Sequence, residues 1–408
     1  MTRFPPRPLR FCMVTTFYPP CSFGGDAVFV ERLSHELAGR GHEVDVVHCA
    51  EAFHALGGKT GGRGPVPHPR IRVHALRSPA GLLWPLAMQQ TGGPAFHAGR
   101  VRALLERDYD VIHFHNISLM GGPEVLHYGR AVKLYTLHEY WLVCPMHVLF
   151  RDNREPCVEP RCLRCTLAHR RLPQLWRATG KLKSAVRQVD LFLALTRFSL
   201  EMHRARGLEG RLRVLPPFAP RPAPAPAPAG PPPPPYFLFV GRLERLKGLH
   251  TLIPDFLRSS PAELWVAGAG SQEPDLRRLA AGHPRIRFLG QVDGTRLPEL
   301  YRQALAVIVP SLCYEGFPLV LAEAASAGTP FVVRRLGSLP EVAEDTGAGL
   351  AYSGSEELTA ALRILLEDRD ARRKLGERAR QLYERDLTPE AHLNRYFSII
   401  AELSTNRT

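Results

Sequence analysis

"LAVIVPSLCYEGFPLVLAEAASAGTPFVVRR", residues 305–335, holds a short aliphatic run, a tight polar loop, an alanine-rich helical stretch and a second aliphatic run. Short apolar strands that alternate with helices indicate βαβ units and a parallel sheet. In such sheets ligands bind at the carboxyl ends of the strands, so the loop after the first run is where chemistry is expected. Pro318 falls where the helix would begin, a position that tolerates its missing N–H. The next backbone N–H groups, from Leu319 and Val320, have no partner inside the helix and suit an anion such as phosphate. Glu315 precedes the helix, and Glu323 lies in its second turn among alanines and aliphatics. A carboxylate there is tolerated if it hydrogen-bonds hydroxyl groups, ribose hydroxyls for instance, which offsets its desolvation. A solvated carboxylate on an alanine-rich core helix is the alternative.

Two stretches upstream continue the pattern. "VGRLERLKG" (240–248) follows a strand and sets Arg242 and Lys247 in a strand-to-helix loop. An arginine fork and a mobile ammonium at a strand end make a good pair for a diphosphate, although a solvated basic loop would read alike. "WVAGAGSQ" (265–272) puts Gly268 and Gly270 after the next strand, where backbone either approaches a ligand or simply turns.

The same alternation runs through the whole chain. In the front part "FCMVTTF", "HEVDVVHC", "YDVIHFH", "AVKLYTL" and "LFLALT" read as strands and "DAVFVERLSHELAGRG" as an amphipathic helix. In the back part "YFLFVG", "AELWVAG", "IRFLG", "LAVIVP" and "PFVVRR" are strands. Between the two parts, "APAPAPAGPPPPP" (223–235) can be neither helix nor central strand and reads as an extended polyproline spacer. The fold class expected is α/β, with two Rossmann-like, doubly wound parallel-sheet domains facing across a cleft. Their bounds are 1–222 and 236–387, with a closing helix in 388–408 expected to pack back on the first domain.

With 408 residues, 45% hydrophobic and 23% charged, the chain is long enough for two or three globular cores. A net charge of +14 favours anionic partners without choosing among nucleotide phosphates, nucleic acid and an anionic membrane face. The opening run is cut off by Pro19-Pro20 and reads as a first strand, not as a signal peptide. No apolar stretch reaches the length of a membrane span, so a cytoplasmic protein is expected.

Taken in order, "VGRLERLKG", "VAGAG", "IRFLG", "VPSLCYEGFPLVLAEAASAGTP" and "LGSLPE" resemble the nucleotide-sugar half of a glycosyltransferase family 4 enzyme with GT-B architecture. "SFGGDAVFVERLSHELAGRGHEVDVV" is similar to the glycine loop, first helix and second strand of that family's front half. The resemblance implies a retaining transferase that moves a sugar from a nucleoside-diphosphate sugar to a glycan or lipid-linked acceptor, in cell-surface polysaccharide or glycolipid synthesis. It implies that Arg242 and Lys247 bind the diphosphate with the helix start at Leu319 and Val320, next to Phe317. Glu323 would hold the ribose and Glu315 the transferred sugar. Gly24 and Gly25, with Gly268 and Gly270, would let backbone approach the donor. His138, in "YTLHEYW", matches a histidine close to the donor sugar, although a satisfied strand-end histidine is the alternative. Here Glu139 follows it where aspartate is the commoner residue. The resemblance further implies front-face transfer. No Asp-x-Asp motif stands at a strand end, so no cofactor is expected to be required for catalysis.

Cys144, Cys157, Cys162 and Cys165 cluster in the segment 144–165 and end in a C-x2-C hook, which suits a structural zinc ion. Disulfides, or buried thiols without metal, are the alternatives. The next stretch, "RRLPQLWRATGKLKSAVRQV" (170–189), reads as a basic amphipathic helix with Leu175, Trp176, Leu182 and Val186 on one face. That pattern suits peripheral contact with the inner face of a membrane; a surface helix packed on its own domain is the alternative. Three rival functions accompany the main reading: a nucleotide-sugar epimerase of the same architecture, a zinc-containing nucleic-acid-binding protein, and a noncatalytic sugar-nucleotide sensor. No recognisable nucleic-acid module is present, so nucleic acid is not expected as a partner.

Overall fold

The computed structural model describes residues 7–58, 64, 68–77, 83–222 and 233–405. The chain divides into two units. The first comprises Met1–Val148, Glu159–Leu215 and Leu393–Thr408, and the second Leu149–Val158 and Pro216–His392.

The first unit is built on strands β1 (Arg10–Val14), β2 (Glu43–Cys49), β3 (Ile71–Leu76), β4 (Val111–Phe114) and β5 (Val132–Leu137). After a two-stranded antiparallel hairpin, β6 (Phe150–Arg151) and β7 (Glu155–Pro156), which groups with the second unit, come β8 (Leu191–Ala194) and β9 (Leu212–Val214). The sheet order is β3-β2-β1-β4-β5-β8-β9, with every pairing parallel. β4 and β5 are buried along their whole length, as strands of a parallel sheet are when helices cover both faces, and their polar members find partners inside: Lys133 Nζ donates to the Leu126 carbonyl (2.7 Å) and His113 Nε2 lies 2.8 Å from Thr136 Oγ1. The helix Gly25–Gly39 buries Phe29, Val30, Leu33 and Leu37, one stripe at helical spacing. It stops where Gly41 takes a φ of 91°, and the N–H of His42 closes on the Leu37 carbonyl at 3.2 Å.

The second unit repeats the plan with β10 (Tyr236–Val240), β11 (Glu263–Ala267), β12 (Ile286–Gly290), β13 (Val307–Val309), β14 (Phe331–Arg334) and β15 (Gly349–Tyr352). Its order is β12-β11-β10-β13-β14-β15, again all parallel. Two buried clusters, one holding Leu238, Tyr301 and Leu321 and the other Phe237, Ile253 and Leu264, form its cores. Both sheets reverse strand order beside their first strand, so each has a switch point where loops from neighbouring strands converge.

The expected boundaries shift in two places. The first unit ends at Leu215, not at 222, because the extended stretch after it lies along the second unit's last helices. There Tyr383 Oη donates to the Pro220 carbonyl (3.1 Å), and the Ala219 N–H to the Leu387 carbonyl (3.0 Å). The closing helix runs Pro389–Thr405, but only from Leu393 does the chain count with the first unit. There Tyr396, fully buried, shares a hydrogen bond of 2.9 Å with His113 Nδ1, and Glu402 pairs with Arg213 (2.9 Å) and Arg211 (3.0 Å). Of the spacer 223–235, residues 223–232 lie outside the described residues.

The basic stretch 170–189 is not one amphipathic helix. A single 3-10 turn, Leu175–Ala178, and a short helix, Lys181–Val186, are separated at Gly180, whose φ is 74°. Trp176 and Val186 are drawn into the first unit's core, with the Trp176 indole N–H donating to the Gln89 carbonyl at 2.9 Å. Arg177 lies against the rings of Trp141 and Trp176 and donates to the Trp141 carbonyl (2.7 Å). Lys181 pairs with Glu124 (2.9 Å) and Lys183 with Glu209 (2.6 Å), so acids from elsewhere in the fold neutralise this face.

Candidate active site

In the second unit the switch point lies between β10 and β13 and brings the loops after them side by side. Gly248 fixes the contact. Its φ is 77°, and a Cβ there would land on the carbonyl oxygen of Pro310, so only glycine lets the turn Arg245–Lys247 lie against the loop after β13. The Leu312 N–H then donates to the Leu246 carbonyl at 2.8 Å. Lys247 Nζ consequently sits 2.7 Å from Glu315 Oε1, which also accepts from Ser311 Oγ at 2.6 Å. Ser338 Oγ donates to the Glu315 carbonyl (2.7 Å), pinning the backbone.

The pair holds opposite charges in a sheltered place. Burial pushes the Glu315 carboxyl up, but the Lys247 ammonium and Ser311 hydroxyl outweigh it and hold the group below its ordinary range. Burial pulls the Lys247 ammonium down, and Glu315 more than restores it, so its pKa ends raised. Both stay ionised at neutral pH, a preorganised charge pair at a strand end. Arg242, exposed, pairs with Glu244 (2.7 Å) at the start of the same loop.

The helix after β13 starts at Leu319. Pro318 stands one residue before it, with ψ 115° taking its backbone out of the helical region. The Leu321 N–H reaches back to the Pro318 carbonyl (2.9 Å), which leaves the Leu319 and Val320 N–H groups at the open end. Phe317 and Val320 are half-buried against the core beneath. Glu323, half-buried, accepts from Tyr301 Oη at 2.7 Å. Tyr301, on the helix Leu297–Gln303, was not legible as a site residue: its alternation with leucine marks it only as core.

Gly268 and Gly270 have a reason internal to the fold. Gly268 has φ 142°, and a Cβ there would strike the Gly241 carbonyl oxygen; at Gly270 it would meet the Leu243 backbone. These glycines let the loop after β11 close on the loop after β10, where the Leu243 N–H donates to the Ala269 carbonyl (2.9 Å).

In the first unit the switch point lies between β1 and β4. Gly24 precedes the helix Gly25–Gly39 in an extended conformation open to any residue, so glycine there spares room and is not a backbone requirement. Asn116, just past β4, donates to Asp26 Oδ2 (3.2 Å) and ties the helix start to the strand end. Beside it, His115 Nδ1 and His138 Nε2 are 3.0 Å apart, with Phe29 edge-on to the His138 ring. Such a contact forms only when one nitrogen carries the proton and the other a lone pair. Burial brings the His138 pKa down to about 4, with Asp26 opposing, and holds His115 well below the usual imidazole value. Both rings are therefore neutral at pH 7. His115 was missed: in "YDVIHFH" it reads as the end of a strand. Glu139 points elsewhere, 2.9 Å from His147 Nδ1.

Among the described residues no group of three or more His, Cys, Asp or Glu side chains is gathered closely enough to hold a metal. Cys144 and Cys165 are buried, Cys157 is half-buried and Cys162 is exposed at the first turn of the helix Cys162–Ala168.

The family described as Glycosyltransferase Family 4 matches residues 23–222, and the one described as Glycosyl transferases group 1 matches residues 226–382. The D-inositol 3-phosphate glycosyltransferase of Xylanimonas cellulosilytica is 31% identical over 88% of this chain and 87% of its own length. The chain belongs to glycosyltransferase family 4. A glycogen synthase of Mycobacterium tuberculosis is 29% identical to this family 4 chain, over 91% of it and 90% of the relative. Among solved structures, the sucrose-phosphate synthase of Thermosynechococcus elongatus superposes with a TM-score of 0.74 at 20% identity, over 98% of this chain and 100% of that one. HepE of Anabaena, solved in complex with UDP-glucose, gives 0.66 at 19% identity over the same shares. These likenesses establish the GT-B fold. As a family 4 member the protein is a glycosyltransferase, and the membership favours transfer over the epimerase and nucleic-acid-binding alternatives. Among the described residues no helix is long and apolar enough to cross a membrane.

Proposed function

We propose that this glycosyltransferase takes its sugar from a nucleoside-diphosphate sugar and passes it, with retention, to a hydroxyl of a glycan or lipid-linked acceptor. The observation that carries the reading is the convergence at the β10/β13 switch point. Lys247, Arg242 and the open N–H groups at Leu319 and Val320 stand at one strand end, with Glu315 and Glu323 beside them. Cations and amide dipoles at that place suit a diphosphate, and carboxylates suit the hydroxyls on either side of it. In the reaction the bond between the anomeric carbon and the diphosphate oxygen breaks. The acceptor oxygen bonds to that carbon on the same face, and its proton passes to the departing diphosphate. Charge grows on the leaving group, which preorganised donors stabilise more in the transition state than in the ground state.

For His138 we keep the role implied by the family resemblance, a contact to the donor sugar made by a neutral imidazole. Support for the donor class comes from HepE, which is described with UDP-glucose. The test is a panel of nucleotide sugars with and without glycan and lipid-linked acceptors. Acceptor-dependent release of nucleoside diphosphate, with the anomeric configuration of the donor kept in the product, supports the reading. Isomerised donor without acceptor, or an inverted product, contradicts it.

A further inference from the structure

The sequence places a membrane contact on 170–189, but the fold buries Trp176 and Val186 of that stretch and pairs Lys181 and Lys183 with acids. The exposed apolar surface begins earlier and runs into the start of that stretch. On the helix Cys162–Ala168, Leu163 and Leu167 are one turn apart and 62% and 56% exposed, while Cys165 and Thr166 form the buried side. The chain then folds back: Arg170 takes a φ of 55°, and the Arg171 N–H donates to the Thr166 carbonyl (3.0 Å). Directly after this turn come Leu172, 58% exposed, and Leu175, 75% exposed. Single exposed leucines need no explanation, but four in one short, folded segment do.

Charge says what covers them. Arg164, Arg170 and Arg171 are exposed among these leucines, and none has an acidic partner among the described residues. No acidic residue occurs anywhere from 160 to 189. By contrast Lys181 and Lys183 downstream are paired, so the unneutralised charge sits where the leucines are. A second copy of this chain meeting it through the same face would bring like charge against like charge. A nucleic acid would find leucines in place of aromatic platforms. A bilayer with anionic headgroups matches both features, since leucines enter the interface and arginines stay at phosphate level.

We propose that the segment from Arg161 to Leu175 is a docking surface for an anionic lipid bilayer. Its test needs no substrate. The full chain is sedimented with phosphatidylcholine vesicles, with vesicles carrying added phosphatidylglycerol, and with the latter in high salt. Binding is expected only to the anionic vesicles, and it should be lost in high salt. The triple variant Arg164→Gln/Arg170→Gln/Arg171→Gln should bind about a hundredfold more weakly. The double variant Leu163→Ser/Leu167→Ser should bind at least roughly tenfold more weakly. Equal sedimentation with both vesicle types, no sedimentation with either, or parent-like binding by both variants overturns the proposal. So does self-association of the parent, relieved by the leucine variant, without vesicle binding. The salt and lipid arms use the parent chain alone, so the test does not depend on either variant folding.

Discussion

Tyr301 shows how a single hydroxyl sets up a site. Its donation to Glu323 holds the carboxylate in one orientation before any ligand arrives, so under the proposed function a sugar diol would meet a fixed acceptor. Tyr301→Phe removes that constraint and little else. It should raise the KM for donor about tenfold with a smaller change in kcat, and cost about 1 kcal/mol of stability. Titration kinetics on the purified variant, alongside a denaturation curve, checks both. His138 gives a second expectation. With a pKa near 4 its proton is off throughout the neutral range, so kcat/KM should show no inflection near 6.5. An acid limb owed to His138 should begin only toward pH 4, and it should disappear in His138→Ala. Some candidate site residues are plain in the sequence because their chemistry conflicts with their surroundings: Glu323 among alanines, Lys247 and Arg242 at a strand end. Tyr301 and His115 were not, since an aromatic or imidazole in an apolar run is what any core contains.

Elements were legible where the physics is local. The central strands β1, β4, β5, β10, β13 and β14 are buried on both faces, and their aliphatic runs stand out. β3, β9 and β15 did not stand out, and all three are edge strands. β3 mixes exposed and buried positions, β9 is only three residues of half-buried chain, and β15 is four. The segment 170–189 misled for the opposite reason. Its spacing fits a helix, yet burying Trp176 in the core outweighs local preference, and a left-handed Gly180 breaks the run. The loops around the site rest on glycines whose Cβ space is already occupied by backbone. Gly268→Ala should therefore disrupt the β10 and β11 loops, through a strained φ and a clash with Gly241. We expect a loss of roughly 2–4 kcal/mol by chemical denaturation. Gly294→Ala, with open space at its Cβ, serves as the near-neutral control.

At the scale of the molecule, one parallel-sheet plan is used twice, and each copy places its loops at a switch point. Burial also sets how the first unit responds to acid. His48, His138 and His203 all lie in it, with pKa values pulled down to about 4. Between about 6.5 and 4 the unfolded chain takes up protons that the folded chain refuses, so stability contributed by these groups falls as pH falls through that window. The fall should flatten below it. Thermal unfolding followed from pH 7 to 4 should show the first unit's transition moving down faster than the second's. Under the proposed function the second unit grips a diphosphate through Lys247 and its neighbours. Titration calorimetry of the parent and Lys247→Ala against UDP, GDP and ADP tests it most directly. The parent should bind at least one of these nucleotides, and the variant, still folded by circular dichroism, should bind it about a hundredfold more weakly. Equal affinity in the two proteins would contradict the claim.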